Sequence, residues 1–271
     1  MLGSAMDAED IVQETFLRWQ PSAEEIQSPK SYLATILTRL CIDHLRSAQT
    51  QREEYIGPWL PEPLLTIEDT AITETLELAE SLSMAFLVLL ESLSPIERAV
   101  FLLREVFGYE YAEIARIVGK RETNCRQIAS RAREHISAKR PRFDVTREQQ
   151  EEVTQRFVLA CTSGDMEALL KVLAPDVVFE ADGGGRVRAA PKPIYGAEKV
   201  ARALLGVLKL QPPGLQMELS QVNVQPAIIG YLSGNPFYVT VLDIVEGRIQ
   251  NIYNVLNPDK LGNLPPMSPP R

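Results

Sequence analysis

The sequence is poor in the residue types on which many enzymes and disulfide-stabilised proteins depend. Its 271 residues include two histidines, His44 and His135, and three widely spaced cysteines, Cys41, Cys125 and Cys161. So few histidines argue against a histidine-based metal site or a catalytic triad. An odd number of scattered cysteines predicts reduced cytoplasmic thiols rather than disulfides or a metal centre.

Long apolar runs are absent as well. No stretch approaches the roughly 18 consecutive apolar residues of a transmembrane helix, and the N-terminus has no signal-peptide pattern. Hydrophobic residues make up 45% of the chain and charged residues 24%, which is ordinary for a globular protein. We therefore expect a cytoplasmic protein of two or three domains that does not contact a membrane.

The most informative segment of the chain, residues 94–136, has the pattern of a DNA-binding helix-turn-helix. Helices are predicted over 95–107, 111–118 and 123–136, with a left-handed turn residue at Gly119. In the last helix the apolar residues recur at spacings of three and four, which predicts one buried stripe of Cys125, Ile128, Ala129, Ala132 and Ile136. Its polar side chains point elsewhere and are candidates for contact with base edges and phosphates. The predicted DNA-binding set on this helix is Thr123, Arg126, Gln127, Ser130, Arg131 and Arg133.

The charge distribution supports a nucleic-acid interface in this segment. Residues 114–142 contain nine Lys or Arg and two acidic residues, a local net charge of +7 in a chain whose net charge is −8. A basic patch on an acidic protein is typical of a nucleic-acid footprint. The alternative is a solvated helix that happens to be basic.

Two further amphipathic helices are predicted near the N-terminus. The helix over 7–20 has an apolar stripe of Ala8, Ile11, Val12, Thr15, Phe16 and Trp19 and a second, mostly polar stripe of Asp10, Gln13, Glu14 and Leu17. The helix over 30–48 has a core side of Leu33, Ile36, Leu37, Leu40 and Leu45 and an outer side of Thr35, Thr38, Arg39, Asp43 and Arg46. An acidic face on one helix and a basic face on the other indicate two different partners, a protein and a nucleic acid.

Composition divides the chain into five segments, predicted as a helical module over 1–52, a linker over 53–91, the helix-turn-helix module over 92–142, a further domain over 143–262 and a disordered tail over 263–271. The linker contains nine acidic residues and no Lys or Arg. Its proline-rich part over 57–64 favours extended structure, and a helix is expected in the remainder.

The domain after residue 143 is predicted to be α+β. Two helices precede a strand over 177–179, a helix over 196–209 follows, and four strands are predicted over 215–224, 227–232, 236–245 and 248–256. Helices followed by a strand meander indicate a cone like that of SnoaL and ketosteroid isomerase relatives, in the cystatin-like or NTF2-like class. The chain as a whole is therefore predicted to be multidomain, with two all-α modules followed by this cone.

Because that fold also hosts enzymes, catalysis has to be weighed. Isomerase or cyclase chemistry needs a carboxylate of raised pKa with a phenol or histidine partner. No histidine lies between residues 143 and 271, and the remaining candidates are Asp182, Asp243, Tyr195, Tyr238 and Tyr253. We expect neither an enzyme nor a cofactor or metal, and leave open a small ligand in the cone.

Two modules and three short motifs, five features in all, resemble those of extracytoplasmic-function sigma factors of the sigma-70 family, in the subgroup that carries a C-terminal SnoaL-like domain. Residues 7–19 and 28–43 resemble sigma domain two, and residues 94–133 resemble sigma domain four. Three short motifs are similar to signatures of the subgroup: Trp-Leu-Pro-Glu-Pro-Leu at 59–64, Asp-Gly-Gly-Gly-Arg at 182–186 and Asn-Pro-Asp-Lys-Leu at 257–261. The resemblance covers about residues 1–262.

This resemblance implies a role for each face already identified. The helix with Asp10, Gln13, Glu14 and Leu17 would dock on the β′ clamp of core RNA polymerase, and the polymerase β flap is a second expected contact. The face with Thr38, Arg39, Asp43 and Arg46, together with the loop over 20–27, would open and hold the minus-ten element of promoter DNA. The helix over 123–133 would contact the minus-thirty-five element as duplex. Trp19 and Tyr32 would either stack on bases or pack in the core.

By the same resemblance, the C-terminal domain would regulate the sigma modules in cis. The expected regulatory contacts are Trp59, Leu60, Pro61, Glu62, Asp182, Gly183, Gly184, Gly185, Arg186, Asn257, Pro258, Asp259, Lys260 and Leu261. The glycines over 183–185 lack the downstream residues of a phosphate-binding loop, so they are expected in a tight loop against another part of the chain. The motif over 257–261 follows the last strand and is expected to be exposed.

One departure and two rival functions remain. The family has another helix before residues 1–4 that packs on Ile11, Phe16 and Trp19, so that stripe is expected to lack a partner here. One rival is a helix-turn-helix regulator, fused to a small-ligand-binding domain, that never meets the polymerase. The other is a cone-fold enzyme with a DNA-binding tether.

Overall fold

The computed structural model describes residues 1–19, 28–52, 55–66, 82–139 and 146–267. Contacts divide the chain into two units, Met1–Glu54 with Phe86–Pro141 and Tyr55–Ala85 with Arg142–Arg271. The predicted loop over 20–27, most of the predicted linker helix and the last four residues lie outside the described residues. The five segment boundaries predicted from composition stay predictions.

Apart from the segment over 55–66, the described chain before residue 140 is mainly helical. It comprises α1 (Ala5–Arg18), α2 (Pro29–Arg52), α3 (Met84–Glu91), α4 (Pro95–Phe101), α5 (Tyr111–Val118) and α6 (Glu122–Lys139). Local sequence explains where they begin and end. The Ser94 hydroxyl accepts from the Glu97 N–H and the Glu97 carboxylate accepts from the Ser94 N–H, a capping box that starts α4. Gly119, with φ of 66°, ends α5 in the left-handed conformation.

Two neighbours cover one face of helix α2, and this corrects one sequence expectation. Toward the C-terminal end Cys41 and Leu45 pack with Ile11 of α1. Two turns before Cys41, on the same face, Ala34 packs against the helix-turn-helix core of Val100, Leu103, Ile114, Ile117, Cys125 and Ala129. Thr38, predicted to face outward, is 7% exposed because it lies on this face between Ala34 and Cys41. Leu37, predicted to be in the core, is 37% exposed.

The apolar stripe predicted on α1 is only partly buried. Ile11 and Thr15 are buried, while Val12, Phe16 and Trp19 are exposed. The Phe16 and Trp19 rings contact each other with centroids 6.3 Å apart. Within its unit, α1 thus buries one edge of its stripe against α2 and leaves an aromatic pair accessible to solvent.

The second unit contains an α+β domain. Its helices are α7 (Arg147–Ser163), α8 (Met166–Val172) and α9 (Ala197–Leu208), and its strands are β1 (Leu173–Asp182), β2 (Ile194–Tyr195), β3 (Leu215–Val222), β4 (Gln225–Leu232), β5 (Asn235–Val245) and β6 (Arg248–Val255). The strand order is β2-β1-β6-β5-β4-β3, with β1 parallel to β6 and every other pair antiparallel. The three helices and one sheet face enclose the core, which includes Val153, Phe157, Leu169, Phe179, Val200, Leu242 and Ile252.

Three details of this domain differ from expectation. Strand β1 is longer than the predicted strand over 177–179, because parallel pairing with β6 extends it to Asp182. The strand predicted over 215–224 ends at Val222, since Asn223 and Val224 form a turn with φ of 52° and 54°. Part of the predicted disordered tail is packed, because Leu264 is buried and the Met267 N–H donates to the Gly234 carbonyl.

Candidate functional site

The polar side of α6 is the first candidate site. Its apolar stripe faces inward, with Cys125, Ala129, Ala132 and Ile136 buried. All six side chains predicted to bind DNA are exposed on the other sides of the helix: Thr123, Arg126, Gln127, Ser130, Arg131 and Arg133. The helical period therefore presents a continuous polar and basic surface to solvent.

Acidic neighbours fix two of these arginines. An Arg126 guanidinium nitrogen lies 2.6 Å from a Glu122 carboxylate oxygen one turn earlier. Arg133 binds both carboxylate oxygens of Glu105, at 2.6 Å and 3.2 Å. The hydrogen bond and the charge of Glu105 raise the pKa of Arg133. Arg131 makes a weaker contact, from its Nε to the Gln127 carbonyl at 3.5 Å.

Of the residues predicted to contact the minus-ten element, the structure leaves some exposed and packs others against neighbouring helices. Asp43 and Arg46 are exposed and 3.6 Å apart. Thr38 is buried. The Arg39 Nε donates to the Ile117 carbonyl at 3.2 Å, at the C-terminal end of α5, where unpaired carbonyls carry partial negative charge. Within this unit α5 therefore covers part of the predicted DNA-binding face of α2.

The face of α1 predicted to bind polymerase is open to solvent. Asp10, Gln13 and Leu17 are exposed, and Leu17 retains 74% of its accessible surface. Glu14 is half-buried and pairs with Arg18 at 2.6 Å. An acidic row with an exposed leucine at its edge is suited to a protein partner that offers basic and apolar groups. Trp19 and Tyr32, at 40% and 38% exposed, lie outside the buried core.

The second candidate site lies where the linker meets the α+β domain, and Asp182 is its centre. The Asp182 side chain is fully buried at the end of β1. Its Oδ1 accepts from the Tyr55 hydroxyl at 2.5 Å and the Gly184 N–H at 3.0 Å. Its Oδ2 accepts from the Leu60 N–H at 2.9 Å and the Lys260 ammonium at 2.7 Å. Two of these donors belong to the linker and two to the domain.

Lys260 completes this site from the motif after β6. Its ammonium lies 3.9 Å from the centroid of the Trp59 ring and also donates to the Leu60 carbonyl. The Asn257 side-chain amide donates to the Tyr55 hydroxyl at 3.0 Å. Burial, with smaller contributions that include the hydrogen bond to Asp182, raises the pKa of Tyr55. The three predicted motifs therefore converge on one buried ion pair.

The glycine loop fits closely beneath the last motif. A Cβ at Gly184 would lie 2.4 Å from the Asn257 amide nitrogen, and a Cβ at Gly183 would lie 2.2 Å from the Val187 carbonyl oxygen. Asn257 and Leu261 are each 5% exposed, so the expectation that this motif is exposed was wrong at both ends. The linker and the glycine loop cover it. Within the three motifs, Pro61, Glu62 and Gly183 are also buried, while Gly185, Arg186, Pro258 and Asp259 are exposed.

A second anchor, missed from the sequence, holds the linker at the β3–β4 turn. The Asn223 N–H donates to the Leu64 carbonyl at 2.8 Å, and its Oδ1 accepts from the Leu64 N–H at 3.0 Å. Its Nδ2 donates to the Leu82 carbonyl at 3.1 Å, and the Val224 N–H donates to the Thr66 hydroxyl at 2.9 Å. No Asn-Gly pair marks this turn, so the strand was predicted to continue through it. Tyr55 was also missed, because it precedes the proline-rich motif.

The structure places the residues weighed for catalysis in different surroundings, although Asp243 and Tyr253 lie near each other on neighbouring strands. Tyr195 is exposed on the short strand β2, whereas Tyr238 packs in the apolar core with its ring over Gly230. Asp243 accepts from the Gln225 and Asn251 side-chain amides, at 3.2 Å and 2.7 Å. Burial raises the pKa of Tyr253, and the charges of Asp243 and Glu180 raise it further.

A surface pocket of about 390 Å³ lies between the linker, α7 and the β3–β4 edge of the sheet. Its lining includes Thr66, Arg147, Gln150, Thr154, Ser220 and Gln221. Among the helices in the described ranges, none combines the length and apolar composition that a membrane crossing requires.

Comparison with known proteins identifies the family of this chain. The sigma-70 region 2 family matches residues 1–51, and the sigma-70 region 4 family matches residues 83–136. The ECF RNA polymerase sigma factor SigJ of Mycobacterium tuberculosis is 35% identical over 98% of this chain and 88% of its own length. The "Probable ECF RNA polymerase sigma factor SigI" of the same species is 34% identical over 97% of this chain and 89% of its own length.

The solved structures add a match over nearly the whole fold. The crystal structure of the M. tuberculosis extracytoplasmic function sigma factor SigJ has a TM-score of 0.77 and 32% identity, covering 96% of this chain and 91% of that chain. The predicted fold class, two helical sigma modules followed by an α+β domain, is confirmed. The resemblance drawn from the five motifs is confirmed with it, and the chain belongs to the extracytoplasmic-function sigma factors of RNA polymerase.

Proposed function

We propose that this sigma factor selects promoters through α2 and α6, docks on polymerase through α1, and is regulated in cis at the Asp182 site. Membership of the family means that the chain directs transcription by binding core RNA polymerase and promoter DNA. The finer assignments of faces to partners are proposals, as are the cytoplasmic location and the absence of catalysis.

The observation that carries the promoter proposal is the exposed row on α6. Arg126 and Arg131 are exposed outside the buried stripe, on a helix that belongs to a helix-turn-helix. A bidentate contact between arginine and guanine contributes about 1–3 kcal/mol of discrimination against other bases. On this proposal α6 binds the minus-thirty-five element in the major groove, and the β flap contacts the same module.

Arg126→Ala and Arg131→Ala test this assignment. Each variant should lower run-off transcription from promoters that carry the upstream element by about 5-fold or more. Binding to core polymerase should stay at the wild-type level, since neither residue lies on α1. Unchanged transcription from both variants would reject α6 as the promoter-binding helix. Co-purification with core polymerase, in turn, separates this proposal from a DNA-binding regulator that never meets the enzyme.

The proposal for the minus-ten element includes a conformational step. Arg39 and Thr38 are engaged with the helix-turn-helix module in this arrangement, so α2 and α5 must separate before that face binds single-stranded DNA. Arg46 and Asp43 are already exposed. A ligand that binds one arrangement better shifts the population toward it, and promoter DNA together with the polymerase would supply that preference.

Regulation in cis is proposed from the placement of the linker. The linker joins the two sigma modules, and it is held on the α+β domain at Asp182 and again at Asn223. Anchoring a linker restricts the separations that its two ends can adopt. The bound linker would therefore disfavour the spacing that the two promoter elements require, and its release would raise activity. The activating signal and any ligand of the α+β domain stay open.

Two truncations test this regulation in run-off assays at matched protein concentration. A chain ending at Leu256 loses Lys260 and Asn257, so its activity should rise above that of the full chain. A chain ending at Arg142 also loses any positive contribution of the α+β domain, and its activity is expected to fall below that of the first truncation. If both transcribe as the full chain does, the domain does not regulate this sigma module.

A further inference from the structure

Tyr111, the first residue of α5, contacts two arginine side chains with its ring, and a third, Arg133, interacts with its hydroxyl. The guanidinium carbon of Arg126 lies 4.6 Å from the centroid of the Tyr111 ring, and that of Arg104 lies 4.8 Å from it. Both distances fall within the roughly 6 Å at which the face of an aromatic ring attracts a cation. Tyr111 also packs against the buried cluster that includes Ile114 and Cys125, so the fold fixes the position of the ring.

The three arginines beside Tyr111 differ in what else holds them. Arg133 binds both carboxylate oxygens of Glu105. Arg104 is held by the Tyr109 carbonyl at 2.9 Å and by Glu110 at 3.3 Å. Arg126 is held one turn back by Glu122, yet its side chain stays 59% exposed. The guanidinium of Arg126 therefore lies between a fixed ring and a carboxylate, with an accessible edge.

Arg131 gives a comparison on the same helix. It is exposed, and it bonds to the Gln127 carbonyl of its own helix at 3.5 Å, the outer limit of hydrogen-bond distance. A side chain that is ordered before binding loses less conformational entropy when it binds. Arg126 should thus meet a base edge with a better defined geometry than Arg131 does.

We propose that Tyr111 is a positioning residue for promoter recognition, which orients the Arg126 guanidinium for bidentate contact with a guanine of the upstream element. The inference rests on the proposed assignment of α6 to that element. An exposed cation–ring contact corresponds to a factor of about 2 to 5 in an equilibrium constant. Removal of the ring should therefore reduce, without abolishing, the discrimination that Arg126 provides.

The test uses the full chain with core polymerase and a set of promoters in which each base pair of the upstream element is replaced in turn. The penalty at a position is the ratio of run-off transcription from the unaltered and the altered promoter. Arg126→Ala identifies the position at which this penalty disappears, and Arg131→Ala identifies a second position in the same way. Tyr111→Leu removes the ring and keeps an apolar side chain, whereas Tyr111→Phe keeps the ring.

We expect Tyr111→Leu to lower the penalty at the Arg126 position by about 2-fold to 5-fold and to leave the penalty at the Arg131 position unchanged. Tyr111→Phe should restore the wild-type penalty. Thermal melting and core binding of both variants serve as controls for folding.

Three outcomes would overturn the inference. A full penalty at the Arg126 position in Tyr111→Leu means that the ring does not position the arginine. An equal loss at every position means that Tyr111 has only a structural role. If Arg126→Ala changes no penalty, the assignment of α6 itself is wrong, and that failure is distinguishable because it appears before Tyr111 is altered.

Discussion

Replacing Asp182 with asparagine removes one charge from the buried site where the linker meets the α+β domain, and it keeps the size of the side chain. The Asp182 carboxylate accepts four hydrogen bonds, two at each oxygen, from Tyr55, Gly184, Leu60 and Lys260. An asparagine offers one acceptor oxygen and one NH₂ group. In either orientation its NH₂ group therefore faces two donors, and the Lys260 ammonium loses the opposite charge.

The loss of stability expected for Asp182→Asn follows from the burial of the ion pair. Asp182 has no exposed surface, and the Lys260 side chain is 12% exposed. Removing one partner of a buried ion pair typically costs about 3–5 kcal/mol, because the remaining charge stays desolvated. A domain of this size is stabilised by about 5–15 kcal/mol. Asp182→Asn should therefore keep the domain folded at low temperature, lower its stability strongly, and loosen the linker around Tyr55 and Leu60 first, because both residues donate to this carboxylate.

Trp59 provides a local signal for that release, since its ring lies under the Lys260 ammonium. The chain has two tryptophans, so a Trp19→Phe background makes Trp59 the sole indole reporter. Urea titrations of this background, followed by Trp59 fluorescence, should show a lower midpoint for Asp182→Asn. Combining Asp182→Asn with Lys260→Met removes both charges, and a double-mutant cycle should return a coupling energy of about 2–4 kcal/mol.

Asp259→Asn is the matched control. Asp259 lies in the same motif as Lys260, but it forms an exposed ion pair with Arg186 at 2.9 Å, which contributes about 1 kcal/mol or less. The urea midpoint of Asp259→Asn should match that of the Trp19→Phe background. An Asp182→Asn midpoint equal to that of this control would refute the reasoning, because the buried carboxylate would then not hold the linker. A released linker without higher run-off transcription would refute the regulatory proposal alone.

Three further results are expected. Replacing both Asp10 and Glu14 with Lys should weaken binding to core polymerase by about tenfold or more. The melting temperature should stay nearly unchanged, since the helix face whose charge is inverted is open to solvent. Pull-down of core polymerase as strong as that of wild type contradicts the docking assignment. Burial raises the pKa of Glu180, so its charge costs stability in the folded state as the pH rises through and above the unfolded-state value. Glu180→Gln should accordingly stabilise the domain at pH 7, and this gain in stability over wild type should vanish below the unfolded-state pKa of about 4.3. Melting curves of both proteins at pH 7 and below that pKa check this. A gain in stability that grows on acidification would have the wrong sign. Asn223→Ala should lower the free energy of unfolding of the α+β domain by about 2–3 kcal/mol in a urea titration, because it leaves the Leu64 N–H and the Leu82 carbonyl without their side-chain partner. Asn235 is an exposed asparagine of the next turn, and Asn235→Ala should lower this free energy by less than about 1 kcal/mol.

Features set by local interactions were predictable from the sequence. The buried stripe of α6 follows from spacings of three and four, and the start of α4 follows from a serine, a proline and a glutamate within four residues. Strands β3 to β6 were predicted close to their observed bounds, whereas β1 was predicted too short, β2 was not predicted, and the β3–β4 turn was missed. At that turn Val224 adopts positive φ, a conformation that β-branched residues rarely take. Contacts of Asn223 and Val224 with Leu64 and Thr66 of the linker hold it there. No local pattern encodes such long-range support.

The burial of α2 shows why amphipathic patterns were incomplete. An apolar stripe on a helix predicts which face is buried, and on α2 the buried face was predicted to be the one that carries the leucines. Helix α2 is instead covered by α1 and by the helix-turn-helix module along a face that includes Thr38, and Arg39 donates to a carbonyl of the helix-turn-helix module. A threonine and the stem of an arginine tolerate both water and burial, so their residue types do not distinguish a DNA-binding face from a packing face.

Asp182 was ambiguous in the sequence for a different reason. A single carboxylate at the end of a strand in an α+β cone is as consistent with a general base as with an anchor, and it was among the residues weighed for both roles. A carboxylate has about four lone-pair directions for hydrogen bonds. Tyr55, Gly184, Leu60 and Lys260 occupy four, and two of these donors come from a linker more than a hundred residues away in the chain. While they remain in place, no lone pair is available to take a proton from a substrate. Only the long-range placement of the linker makes Asp182 an anchor, and a general base at this position would first require the linker to leave.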